Sequence, residues 1–176
     1  MNAQRDLQYV LDRFAIQDLI AAYGLGQDLH QGRQDNDVLA QWNEVFAPDA
    51  VIDASAVGAS SAMSLREYAE LLRGPGLDGT GGMPVPFDAW QHREGYASVG
   101  IDGDTATAVS PFLHLHQTRD GAANLLHAGM WHDRLTRLPQ GWRITHRRLQ
   151  DLFFNTFPRV ENPTVIRHPT SRCACA

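Results

Sequence analysis

The chain of 176 residues is 43% hydrophobic and 20% charged, with a formal net charge of −5, the profile of one globular domain with a substantial core. The acidic balance argues against a nucleic-acid partner. No amino-terminal apolar segment and no run of about 18 apolar residues is visible, so no membrane contact is expected and a cytoplasmic location is. All 15 basic residues are arginine; without lysine, Schiff-base chemistry and a P-loop are excluded. Cys173 and Cys175, two apart near the end of the chain, suit neither an internal disulfide nor a zinc framework.

From Asp6 onward, Leu7, Val10, Leu11 and Phe14 take helical spacing, and Ile16, Leu19, Ile20 and Tyr23 continue the stripe. Gln27 falls on that stripe and Asp28 roughly 80° off its centre. Asp28 is therefore either a solvated helix end or a buried acid with a function. A polar stretch, His30 to Asn36, separates this helix from a second pattern carrying Val38, Leu39, Trp42, Val45 and Phe46, ended by Pro48. Ala50 to Ala54 reads as a short strand. Ser64 and Glu67 make a capping box that opens a third helix, and Gly74 stops it. The glycine-rich run from Gly74 to Pro86 is long for a connection inside a compact domain, which suggests a flap over a site.

The second half reads as strands. Trp90 to Ile101 and Thr105 to Gln117 form a hairpin around Asp102-Gly103-Asp104, and Leu125 to Leu138 pairs with Trp142 to Phe154 through Pro139-Gln140-Gly141. Helices followed by such strands predict an α+β domain: a cone-shaped curved antiparallel sheet closed by the N-terminal helices around one apolar pocket. The domain is expected over residues 1–157, with a tail over 158–176 that Pro163 and Pro169 keep from being helical.

Histidines concentrate on the strands: His92, His114, His116, His127 and His132, with His146 on the last. Alternation gives His114 and His116 one face, and His92 a face shared with Glu94 and Tyr96. Each could be an ordinary sheet residue, and no acidic or cysteine partner at familiar spacing makes the H-x-H pair a metal site, so no metal is expected. His92 stands where the sheet begins, directly after the flap. A carboxylate on the first helix could hold its far nitrogen, fixing the tautomer and supporting a proton-accepting imidazole. Tyr23 could be core, or a phenol that donates to a carbonyl oxygen as charge develops. Arg147 and Arg148 point to opposite faces, so at most one enters the cone.

AIQDLIAAYGLGQDLHQGR, FAPDAVIDA, His92 after an aromatic run, IDGDTATA and GMWHDRLTRLPQGWRITHR, in this order and at these spacings, resemble the SnoaL-like branch of the nuclear-transport-factor-2-like superfamily. The resemblance runs from about Leu7 to Phe157 and implies the cone fold. It is strongest to the dehydratase group: bile-acid 7α-dehydratase, scytalone dehydratase and hexachlorocyclohexane dehydrochlorinase. The first of these implies catalytic roles for Tyr23, Asp28, His92 and Arg147; the dehydrochlorinase carries lysine where this chain has Tyr23.

The resemblance implies a cofactor-independent lyase that removes water from a small apolar cyclic hydroxy-carbonyl compound. His92 would be the base oriented by Asp28, Tyr23 the donor to the enolate oxygen, Arg147 the anchor of the polar network or the departing oxygen, and His116 the candidate for protonating the leaving hydroxyl. Trp90, Phe112, Met130 and Trp131 are the expected pocket residues. An isomerase or polyketide cyclase, or a non-catalytic binding or accessory subunit, are the alternatives. A homo-oligomer is expected, because a partly open sheet with apolar outer residues needs covering, and the resembling dehydratases imply a trimer.

Overall fold

The computed structural model describes residues 3–29 and 37–159. Its elements are α1 (Ala3–Leu29), α2 (Val38–Trp42), β1 (Phe46–Asp53), β2 (Met63–Ser64), α3 (Leu65–Arg73), β3 (Phe87–Glu94), β4 (Ser98–Asp102), β5 (Thr105–Thr118), β6 (Ala123–Leu138) and β7 (Gly141–Pro158). The sheet runs β2-β1-β7-β6-β5-β3, and β4 also pairs with β5. The polar stretch after α1, the chain beyond Arg159 and both cysteines lie outside the described residues.

The curved α+β cone forms as the patterning predicts, with one difference: β1 pairs with β7 in parallel, so the sheet is mixed. Residue periodicity reports which face a side chain takes, not the direction of its strand. The second helix is also shorter than its pattern. It ends at Trp42, and Phe46 already belongs to β1, where its register with β7 shifts before Val51. Pro48, expected to end a helix, sits exposed in that irregular stretch, where no ladder donor is needed. The stretch Trp90 to Ile101 is likewise two strands, broken at 95–97; Tyr96 leaves the inner face and is exposed.

The helical stripe divides into two. Ile16, Leu19, Ile20, Tyr23 and Gln27 are buried against the sheet, whereas Leu7, Val10, Leu11 and Phe14 are exposed. At 100° per residue the latter four lie roughly 120–180° around the helix from Ile16, so they form a second face. The inner face is continued instead by Asp12, which is buried and accepts from Arg137 Nη1 (2.6 Å), Arg137 Nη2 (2.5 Å), Trp142 Nε1 (3.1 Å) and Gln8 Nε2 (3.1 Å). This cluster clamps α1 to the β6–β7 hairpin.

Ser64 and Glu67 form the capping box of α3 as expected. In the middle of the sheet, β6 and β7 slip register between Ala128 and Gly129. A Cβ on Gly129 would lie 2.4 Å from Phe112 Cζ and 2.3 Å from Gln150 O; only glycine lets the strands bend tightly enough to narrow the cone there. The core that results packs Tyr23, Trp42, Phe46, Tyr68 and Trp131 ring against ring.

Candidate active site

The inner end of α1 meets β3 at Asp28. Its carboxylate accepts from the backbone N–H of His92 at 2.8 and 3.0 Å, and its Oδ1 lies 3.0 Å from His92 Nδ1. Because the carboxylate can only accept, the imidazole carries its proton on Nδ1 and leaves Nε2 with a lone pair. Burial holds the His92 pKa below the ordinary histidine value, with Asp28 pulling it partly back. The ring is therefore neutral near pH 7 and able to take a proton.

An acid in the last turn of a helix is electrostatically unfavourable, and α1 has no basic residue there. Arg73, the last residue of α3, supplies the missing cation. It is buried, donates Nη2 to Gln27 O (3.0 Å) and Gln27 Oε1 (2.9 Å), and stacks on Trp90. Burial lowers its pKa to about 10, partly opposed by Tyr23, Tyr68 and Asp28, so it remains a cation near neutral pH. Trp90 Nε1 donates to the same Gln27 carbonyl at 3.0 Å, satisfying a helix-end acceptor.

A cavity of ≈ 210 Å³ opens beside this pair. Tyr23, Gln27 and Tyr68 come into it from the helices, Met83 from the end of the glycine-rich segment, and Phe87, His92, His114, His116, His127 and Trp131 from the sheet. The Tyr23 and Tyr68 hydroxyls are 2.6 Å apart, and Gln27 Nε2 donates to Tyr23 at 3.4 Å. If Tyr68 is the donor in that pair, the Tyr23 oxygen accepts twice and keeps its own O–H for a third partner. Burial raises both phenols, Tyr68 more strongly, so both are protonated near pH 7.

The four cavity histidines differ in support. His92 and His114 are directly opposed across β3 and β5, and His114 and His127 across β5 and β6. His114 Nε2 lies 3.2 Å from Glu94 Oε1, and His127 Nε2 lies 2.9 Å from Asp151 Oδ1. Burial pushes His114 well below the ordinary value, and neighbouring histidines add to the effect. His116 packs on Phe87, its Nδ1 has no partner among the described residues, and burial drops its pKa to about 3. No carboxylate backs it, so it is a neutral wall residue, ill suited to the proton-donating part expected of it. His132, on the other face of β6, pairs instead with Gln150.

Arg147 does point into the cone, but it does not line the cavity. It is fully buried, gives Nε (2.8 Å) and Nη2 (2.7 Å) to Asp133, and lies over the rings of Tyr23, Trp131 and Phe46. Burial works against its charge, yet Asp133 outweighs that and the pKa rises. Contact with a departing oxygen is thus closed to it; its cation acts through the ring of Tyr23, 4.3 Å away. Of the four expected pocket residues, only Trp131 lines the cavity. Trp90 is occupied at the end of α1, Phe112 packs behind His114, and Met130 falls on the opposite face of β6 because strand neighbours alternate.

Sequence reasoning did not find Tyr68, Gln27, Arg73 or the functional setting of Glu94. Tyr68 sits at the right helical spacing for core and nothing in α3 distinguishes it. Glu94 had a signal, its alternation with His92. Among the described residues no three His, Cys, Asp or Glu side chains come together to hold a metal ion, and no helix is long and apolar enough to cross a membrane.

Comparison with known proteins supplies the kinship. Solved structures with the same fold include a type 2 hexachlorocyclohexane dehydrochlorinase (TM-score 0.69, 17% identity, 91% of this chain and 99% of the other). A second is a scytalone-dehydratase candidate from Novosphingobium aromaticivorans (0.67, 16%, 87% and 91%). A third, from the same organism, is an NTF2-like protein with a cystatin-like fold (0.65, 25%, 86% and 88%). Among sequence relatives, an uncharacterized protein of Mycobacterium tuberculosis H37Rv is 29% identical over 141 residues, 78% of this chain and 84% of its own length. The SnoaL-like domain matches residues 8–148, which span the Asp28–His92 contact, the cavity histidines and Arg147: the chain belongs to the SnoaL-like domain family.

Proposed function

We propose that this protein is a cofactor-independent lyase, a dehydratase of a small apolar cyclic hydroxy-carbonyl compound. The observation that carries the reading is the Asp28–His92 pair, with an unprotonated Nε2 on the wall of an apolar cavity. His92 takes the proton next to the carbonyl, and Asp28 stabilises the imidazolium that forms. Tyr23 donates its hydroxyl hydrogen to the oxygen that becomes enolate-like, with Tyr68 and Gln27 holding the phenol in place and Arg147 behind its ring. The apolar walls exclude water, which strengthens each of these interactions.

The cavity volume of ≈ 210 Å³ suits a ligand of one or two rings. The named substrate of the dehydrochlorinases, hexachlorocyclohexane, is itself a single apolar ring. Tyr23 stands where the resemblance gives the dehydrochlorinase a lysine, which favours a hydroxyl over a halide as leaving group. We also assign a homotrimer, supported by the exposed Phe153, Phe154 and Phe157 on β7 and the exposed outer stripe of α1.

The test is a panel of cyclic hydroxyketones followed by mass spectrometry. Loss of one water identifies dehydration, and unchanged mass would point to an isomerase or cyclase. His92→Ala and Asp28→Asn are expected to lose about 10²–10⁴ in rate; turnover at the wild-type rate in both variants would refute the assignment.

A further inference from the structure

His92, His114 and His127 stand side by side across β3, β5 and β6, each with a carboxylate behind it. The three carboxylates are not alike. Asp28 retains 19% side-chain exposure and Asp151 38%, whereas Glu94 retains 1%. Gly24 of α1 lies directly over Glu94: a Cβ there would come within 2.9 Å of Glu94 Cγ. A glycine inside a helix costs roughly 1 kcal/mol relative to alanine, and here it lets the helix backbone close on the acid.

Sealed in this way, Glu94 lacks what an ionised carboxylate requires. Its Oε2 makes no hydrogen bond among the described residues, and neither does Trp131 Nε1; that indole is near enough only to oppose part of the rise in the Glu94 pKa. The nearby cation, Arg147, gives Nε and Nη2 to Asp133, and although its Nη1 has no partner among the described residues, no hydrogen bond joins it to Glu94. A neutral carboxyl, by contrast, needs one acceptor for its proton, and His114 Nε2 at 3.2 Å supplies it. Burial is the main cause that lifts the Glu94 pKa to about 8; Arg147 opposes it, while Asp133 and Asp28 add to it. With Nε2 accepting, neutral His114 carries its hydrogen on Nδ1. No hydrogen bond to that nitrogen is found among the described residues, and the ring is part of the cavity wall, 4.2 Å from His92.

We propose that Glu94 and His114 form the proton-delivering half of the site, with Glu94 holding a proton against His114 Nε2 and His114 passing its Nδ1 proton to the oxygen that leaves the substrate. The proposal rests on the lyase reading above. In the elimination, the C–H bond breaks and its proton goes to His92 Nε2, while its electron pair becomes the C=C bond. The C–O bond breaks, the oxygen takes the His114 Nδ1 proton and departs as water, and His114 Nε2 takes the proton of Glu94. His92 gains one proton and Glu94 loses one, so no co-reactant is required. His114 is the catalytic residue and Glu94 a positioning residue that acts through it.

Two measurements test this. In protein carrying ¹³C-glutamate and ¹⁵N-histidine, NMR near neutral pH is expected to find one neutral glutamate carboxyl, absent in Glu94→Gln, and His114 protonated on Nδ1. An ionised Glu94 beside an Nε2-protonated His114 would overturn the proposal whether or not the protein turns anything over. The second compares elimination from 3-hydroxycyclohexanone and 3-acetoxycyclohexanone, since acetate leaves without being protonated. Glu94→Gln and His114→Phe are expected to slow loss of water about 100-fold more than they slow loss of acetate. Equal losses on both compounds would reduce Glu94 to a structural role and overturn the proposal. His92→Ala should abolish both reactions; a wild-type protein inert toward both compounds would fail the lyase reading itself, a result separate from the protonation state.

Discussion

Asp12 and Asp28 are two acids on the same helix, and they are held in opposite ways. Asp12 accepts from two arginine nitrogens, an indole and an amide, all donors that keep their protons at any pH the protein meets. Asp28 accepts from a backbone N–H and from an imidazole whose second nitrogen remains free. The first arrangement is closed and can only hold α1 in place. The second is open at one end, and in the proposed reaction a substrate in the cavity completes it. Burial alone does not separate a structural acid from a chemical one; the protonation freedom of its partner does.

The comparison predicts different failures. Asp28→Asn should lose about 10²–10⁴ in turnover with a small change in unfolding free energy, measured by urea titration. Asp12→Ala should do the reverse: a loss of about 3 kcal/mol, because it strands Arg137 and Trp142, with turnover of the surviving folded protein close to wild type. A catalytic collapse in Asp12→Ala at unchanged stability would erase the distinction.

Smaller effects follow with pH. Arg137 is the main cause that lowers the Asp12 pKa from 3.8 to about 2. A depressed carboxyl contributes stability that is present above its unfolded pKa and lost as pH falls through the folded one. Roughly 2 kcal/mol should therefore disappear between about pH 4 and pH 2, and Asp12→Asn should flatten that part of the profile. Glu94 has the opposite sign. Raised from 4.5 to about 8, it costs nothing below its unfolded pKa and destabilises the fold progressively as pH climbs toward 8; Glu94→Gln should remove that decline. The smallest effect is expected at the outer stripe: Leu11→Gln should leave monomer stability within about 0.5 kcal/mol while reducing the fraction of the proposed trimer seen by light scattering.

Much of the fold was legible in the residues. The Ser64–Glu67 capping box, the two hairpin turns and the strand alternation are local signals, and each appears where its pattern indicates. The outer apolar stripe of α1 misled, because Leu7, Val10, Leu11 and Phe14 have helical spacing without sharing the phase of Ile16. The site was legible in part: alternation put His114 with His116 and His92 with Glu94. It could not separate Trp131, which faces the cavity, from Met130, which faces away, until the strand phase was known.

What the sequence determined by itself are properties of one residue and its near neighbours: the absence of lysine chemistry, the elements, the family, and an acid in the last turn of a helix. Tertiary structure alone decided which nitrogen meets that acid, that Arg73 and not a residue of α1 supplies the cation at its end, that Arg147 is closed off by Asp133, and that Glu94 lies sealed beneath Gly24. The reason is physical: solvation and protonation depend on what lies within a few ångströms in space, and in this fold those neighbours come from α1, α3, β3, β5, β6 and β7 together.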